Sequence, residues 1–230
     1  MRLPAIALAL STAHAAYAQF SLFYDGRQVG DSMTISKGGD GSSAGGDITQ
    51  PPVPGSAWNY TRYTTLDNAY GHATATESIV SPAFDPLMLS GEASASSAIT
   101  WETGADAVVY AGGLWRETVR LPQPALVHLE ARLVNTAGIT ISSYDNPHVY
   151  MTFPGTPGQT VLYSETFTLG QGNLLQWSID VGASAWAGTS EGNSHGTFAL
   201  ATFTLTIVPA PSGSVVTGAT LALVALRRRR

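Results

Sequence analysis

The sequence predicts an all-β protein, an antiparallel two-sheet β-sandwich that is jelly-roll-like in preference to immunoglobulin-like. Three observations predict it. Apolar residues recur with period two through most of the chain, the mark of half-buried strands. Clusters of Gly, Pro, Asn and Asp interrupt those runs about every 8–12 residues, as in sandwiches. No internal window of about eleven or more residues carries a helical period, and the abundance of Thr, Ser, Gly and Val disfavours helices.

Taken in chain order, residues 19–35 supply two strands. Residues 36–56, rich in Gly, Pro and small polar side chains, read as a flexible loop that cannot bury a core. Trp115, Val119 and Leu121 alternate with Arg116, Thr118 and Arg120. The set Ala125, Val127, Leu129, Ala131 and Leu133 alternates with a face carrying His128, Glu130 and Arg132, which places that His towards solvent. Val149, Met151 and Phe153 form a short strand; Val161, Tyr163, Phe167 and Leu169 form another. Leu175, Trp177, Ile179 and Val181 make a third such set, and Phe203, Leu205 and Ile207 close the domain. Turns are expected at Gly112-Gly113, 135–138, 154–158, 170–173 and 188–196. Trp101, Trp115 and Trp177 fall in the inward phase and read as core.

Composition narrows the function classes. With 230 residues and 44% hydrophobic side chains the chain can build one large core. There is no Cys, which removes disulfide scaffolds, thiolate metal sites and thiol nucleophiles together. Lys37 is the sole lysine. Eleven basic residues stand against 16 acids, a formal charge of −5, the wrong balance for binding nucleic acid.

The two ends read as addresses. Arg2 precedes a short apolar run, and small residues lead to Ala16-Tyr17-Ala18, the order of a secretory signal peptide over residues 1–18 with cleavage before Gln19. Its apolar run is too short to span a bilayer, which takes about 20 residues. The body, 19–207, is followed by Val208-Pro209-Ala210-Pro211, an apolar stretch over 215–226, and Arg227, Arg228, Arg229 and Arg230. A short hydrophobic helix with a terminal Arg cluster can enter a membrane and halt with its positive end cytoplasmic, the arginines snorkelling.

Those three features in that order resemble a PEP-CTERM sorting signal, with Ala210 where Glu is commonest. The resemblance covers residues 208–230. It implies two processing partners, signal peptidase and an exosortase-like enzyme that reads Val208 to Pro211. It also implies passage through the inner membrane of a Gram-negative-type bacterium, then delivery to the cell surface or the extracellular polysaccharide of a biofilm matrix. It implies nothing about the activity of the body. Without both targeting segments, six basic residues face all 16 acids, a formal charge of −10.

The body offers weak chemical candidates. Gly30-Asp31-Ser32-Met33 and Asp145-Asn146-Pro147-His148 resemble the Gly-Asp-Ser-Leu block and Asp-x-x-His spacing of certain serine esterases, in which Ser attacks, His takes its proton and Asp orients the His. Those enzymes are α/β proteins, and this chain lacks the helices. Asp40 and Asp47 in the Gly-rich loop could offer oxygens to a structural Ca²⁺, although their pattern fits neither an EF-hand loop nor the glycine-rich nonapeptide repeat. His72, His128, His148 and His195 are scattered without metal-ligand spacing. Sixteen carboxylates leave room for a glycosidase pair, though no local motif nominates one. Trp58, Tyr60 and Tyr63 beside Arg62 could stack on a sugar ring. The leading expectation is a non-enzymatic exported surface or matrix protein without a cofactor; a carbohydrate-binding module and a secreted hydrolase are the alternatives.

Overall fold

A computed structural model describes residues 18–49, 53–145, 150–170, 175–188 and 194–208. The expected signal helix, the Pro209–Pro211 part of the sorting motif, the C-terminal hydrophobic helix and the Arg cluster lie outside these residues. Among the described residues no helix is long and apolar enough to cross a membrane.

The body is all-β and built from twelve strands: β1 (Ser21–Lys37), β2 (Asp40–Thr49), β3 (Trp58–Asn68), β4 (Gly71–Ser81), β5 (Met88–Trp101), β6 (Asp106–Arg120), β7 (Ala125–Val134), β8 (Ala137–Ser143), β9 (Tyr150–Pro154), β10 (Thr160–Leu169), β11 (Gln176–Gly188) and β12 (Ser194–Ile207). They form two six-stranded sheets, in the orders β2-β1-β6-β11-β8-β9 and β10-β7-β12-β5-β4-β3. Every pairing is antiparallel. From β5 onward the chain crosses repeatedly between sheets, while the β1–β2 and β3–β4 hairpins widen one edge of each.

Period two decides which side chains go inside. Val127, Leu129 and Leu133 of β7, Ile179 and Val181 of β11, and Leu205 of β12 are fully buried. Many inward positions on the central strands are Ala, among them Ala93, Ala95, Ala185 and Ala201, so the sheets leave room for a few large rings. Trp115 and Phe203 fill one such space, tilted at 43° with centroids 4.6 Å apart. Trp101, Trp115 and Trp177 are all buried, as their phase predicts. At one lateral edge Phe153 of β9 meets Tyr163 and Phe167 of β10 at 5.3 and 6.2 Å, an aromatic clasp between the sheets.

Three expectations need correction. The 36–56 segment is not simply a loop, because its residues 40–49 are β2, paired with β1 from Lys37↔Asp40 to Gln28↔Thr49. Gly38 and Gly39, at φ of 63° and 94°, make the two-residue turn, whose positive φ values match the right-handed twist of the paired strands. Gly45 lies so close to β1 that an added Cβ would stand 2.4 Å from the Asp31 carbonyl oxygen. Glycine here allows strand contact rather than preventing it. The stretch 19–35 holds one long strand, β1, which begins at Ser21 and whose register slips between Leu22 and Tyr24, and not two. Gly112-Gly113 is no turn but the middle of β6, where Gly112 pairs with Gly30 on one side and Ser184 on the other.

The body's two ends are held by one short loop. The Phe20 N–H donates to Pro86 O at 2.7 Å, and the Ile207 N–H to Leu87 O at 2.9 Å. The Val208 N–H donates to Leu126 O at 2.9 Å.

Candidate functional site

The inward phase of β1 is set by Val29, Met33 and Ile35, and it carries Asp25, Arg27 and Asp31 inside with them. In the same way Trp115 and Val119 bring Glu117 inward on β6, and Ala75 and Ile79 bring Glu77 inward on β4. Arg62 follows Trp58 and Tyr60 on the inner side of β3. The outcome is two Arg–carboxylate groups between the sheets.

In the first, Arg27 Nη2 lies 2.9 Å from Asp25 Oδ2 and 3.9 Å from Glu117 Oε1. Asp25 and Glu117 are direct cross-strand partners. Arg27 Nη1 donates to Ser56 O at 3.1 Å, and the Gly55 N–H donates to Asp25 Oδ2 at 3.1 Å, so the chain before β3 caps the group. The guanidinium sits 5.8 Å from the Trp58 ring centroid, and Trp58 in turn stacks on Tyr60 at 5.4 Å and 7°. In the second group Arg62 Nη2 lies 2.9 Å from Asp31 Oδ1, which also accepts the Gly46 N–H at 3.1 Å. Arg62 bonds the Gly46 carbonyl as well, and Glu77 is its cross-strand partner on β4.

Each group sets one cation against two buried carboxylates, and a carboxylate without full pairing is costly to bury. Burial, reinforced by Asp25 and opposed by Arg27, pushes the Glu117 carboxyl up to about 8. Burial, reinforced by Asp31 and opposed by Arg62, pushes Glu77 up to about 7. Burial also lowers Arg27, with Asp25 and Glu117 working the other way; a guanidinium nonetheless keeps its proton. Near pH 7 Glu117 therefore keeps its proton for the most part, whereas Glu77 is about half protonated. A carboxyl raised in this way is what a general acid needs. Here, however, Asp25, Arg27 and Glu77 are at most 3% exposed and three clefts on the surface are lined by other residues. The groups hold the sheets together from inside: Arg62 and Asp31 join the edge opposite the aromatic clasp.

The sequence candidates are dispersed by the fold. Trp58 and Tyr60 point inward and Tyr63 outward, 64% exposed, so the three do not share a platform. Ser32 is exposed on the outer face of β1, Asp31 is committed to Arg62, and Asp145 Oδ2 accepts the Gln176 N–H at 3.3 Å. His148 lies outside the described residues. Asp40 and Asp47 sit seven residues apart on one strand, about 23 Å at strand rise, too far for one ion. Among the described residues no group of acids and histidines is placed to hold a metal. His72 pairs with Asp67 on the surface; His128 lies beside Thr166 at 2.8 Å and Glu130 at 3.5 Å, on the polar face expected for it. His195 is in β12, its side chain outside the described set. Ala18 and Gln19 lie just before Phe20 and the start of β1, Ala18 partly buried against the core, while Ala16 lies outside the described residues.

No family model matches the chain, and no curated protein does either. One solved structure, the enzymatically active domain of bacteriophage CBA120 tailspike protein 4, is similar at 13% identity and a TM-score of 0.29. The match covers 65% of this chain and 19% of the tailspike chain, so this chain spans about a fifth of that protein's length.

Proposed function

We propose that this chain is an exported bacterial cell-surface or extracellular-matrix protein of structural and interaction type, anchored and then processed through its C-terminal sorting signal. The observation that carries this reading is the ordered tail: Val208-Pro209-Ala210-Pro211, the apolar 215–226 stretch and Arg227 to Arg230, behind a chain that opens like a signal peptide. The last strand ends at Ile207, immediately before that motif. Signal peptidase and an exosortase-like enzyme are its processing partners, and the inner membrane is its way station.

The body is a jelly roll of eight strands, β5 to β12, in the orders β5-β12-β7-β10 and β6-β11-β8-β9, enlarged by two hairpins. The interleaved connections of two nested Greek keys support this reading. The body works by binding and bearing load rather than by catalysis. In support, its pH-shifted carboxyls are sealed in the core, while a cleft of about 830 Å³ is lined by aromatic and hydroxyl groups.

Replacing Arg227 to Arg230 with Ser tests the sorting claim. Mass spectrometry of the exported protein is expected to find the tail retained and the protein held in the membrane fraction. Normal removal of the tail from that variant overturns the proposal.

A further inference from the structure

The geometry points to a binding site for a neutral oligosaccharide in the cleft bounded by β5, β11, β12 and the turns at 135–136 and 157–158. The inference goes beyond the sorting reading and does not depend on it. The cleft has a volume of about 830 Å³, within the range of small-molecule sites. Its described lining contains no Asp, Glu, Lys, Arg or His. That neutrality is selective in a chain this acidic: the smaller cleft on the outer face of the second sheet includes Glu130 and Arg132. A phosphate, a uronate or a cationic peptide would find no countercharge among the described residues of the larger one. A neutral sugar needs none. It presents C–H faces that pack on aromatic rings and hydroxyls that exchange hydrogen bonds with other hydroxyls and amides.

Both kinds of partner are present. Trp186 is 57% exposed, whereas the chain's other four tryptophans are at most 9% exposed, so its indole adds little to the core. Phe198, 44% exposed, lines the same cleft. Ser96, Ser184 and Thr136 add polar groups.

The walls are held in advance. The glycine at 188 lets the indole lie along the strand, since a Cβ there would stand 2.6 Å from Trp186 Cζ2. Thr197 Oγ1 donates to the Trp186 carbonyl at 2.9 Å and lies 3.0 Å from Ser97 Oγ. Asn135 donates through Nδ2 to the Phe198 carbonyl and accepts the Gly158 N–H at 2.7 Å; Thr136 donates to the Ser184 carbonyl. These bonds cross from β11 and β12 to both turns, so little ordering remains to be done on binding.

The test uses the purified full chain with cellohexaose, mannohexaose and maltohexaose as neutral probes and hexagalacturonate as the anionic one. Binding is read by calorimetry and by iodide quenching of tryptophan fluorescence, which reports mainly on Trp186 because the other indoles are buried. At least one neutral hexasaccharide is expected to bind and to shield Trp186 from iodide, with hexagalacturonate weaker by about tenfold or more. Trp186→Ala is expected to weaken binding about tenfold at unchanged melting temperature, and Phe198→Ala severalfold. Gly188→Ala retains the indole but displaces it, and is expected to weaken binding too. No binding of any neutral probe at about 10 mM, equal binding by all variants, or preference for hexagalacturonate overturns the inference.

Discussion

Glu117→Gln should remove a pH dependence built into the core. In the folded protein the Glu117 carboxyl titrates at about 8, against an ordinary value of 4.5. Between those values the native state keeps a proton that the unfolded chain has lost. Stability from this group is therefore complete below about pH 4.5 and is lost as pH rises through 8. At about 1.36 kcal/mol per pKa unit, the 3.5-unit gap sets a ceiling of about 5 kcal/mol, reduced in practice by relaxation around the charge. An amide has the shape of the protonated acid and no charge to lose. The variant should match the wild type within about 1 kcal/mol at pH 5 and exceed it by several kcal/mol at pH 9, a melting difference of roughly 5–15 °C for a body of this size. Urea and thermal unfolding at pH 5, 7 and 9 measure it. Parallel curves for the two proteins, or a wild type that gains stability from pH 5 to 8, would refute the placement of a neutral Glu117 beside Asp25 and Arg27.

Three further outcomes follow from the packing. Arg62→Met leaves Asp31 buried without its cation and should cost about 3–5 kcal/mol in urea unfolding at pH 7, more than the same change at the exposed Arg116. Phe203→Ala removes the ring beneath Trp115 and should cost about 3–5 kcal/mol, with a loss of the near-ultraviolet signal of that indole. Gly45→Ala adds a methyl at φ 136° against the Asp31 carbonyl; hydrogen exchange should rise across β2 while the β7–β12 ladder keeps its protection.

What the sequence revealed depended on whether one side of a strand was apolar. β7 and β11 were legible because aliphatics fill one phase and polar groups the other. β2 was not, since its glycines and serines carry no hydrophobic signal; its place is set by the Gly38-Gly39 turn and by how closely Gly45 can approach β1. The buried charges were hidden for a related reason. Asp31 sits within Gly-Asp-Ser-Met, which reads as a polar edge, yet Val29, Met33 and Ile35 fix its phase as inward. Following that phase through charged positions would have found Asp25, Arg27, Glu77 and Glu117. Trp58 and Tyr63, five residues apart on a strand, could never share a face, and a period-two count alone separates them. Trp186 carried the opposite signal: it falls in the outward phase of a strand whose other indole, Trp177, is inward.

The tie of Phe20 and Ile207 to the 86–87 loop has a mechanical consequence. β12 runs from the Thr197–Phe198 wall of the cleft to Ile207, next to Val208, the point at which the body gives way to the tail. Tension applied at Val208 and resisted at the cleft travels along this single strand, roughly 33 Å at strand rise. β12 lies between β5 and β7, and antiparallel hydrogen bonds stand perpendicular to the pull. The two ladders are then sheared all together rather than peeled open one bond at a time, the stiffer of the two ways to load a sheet.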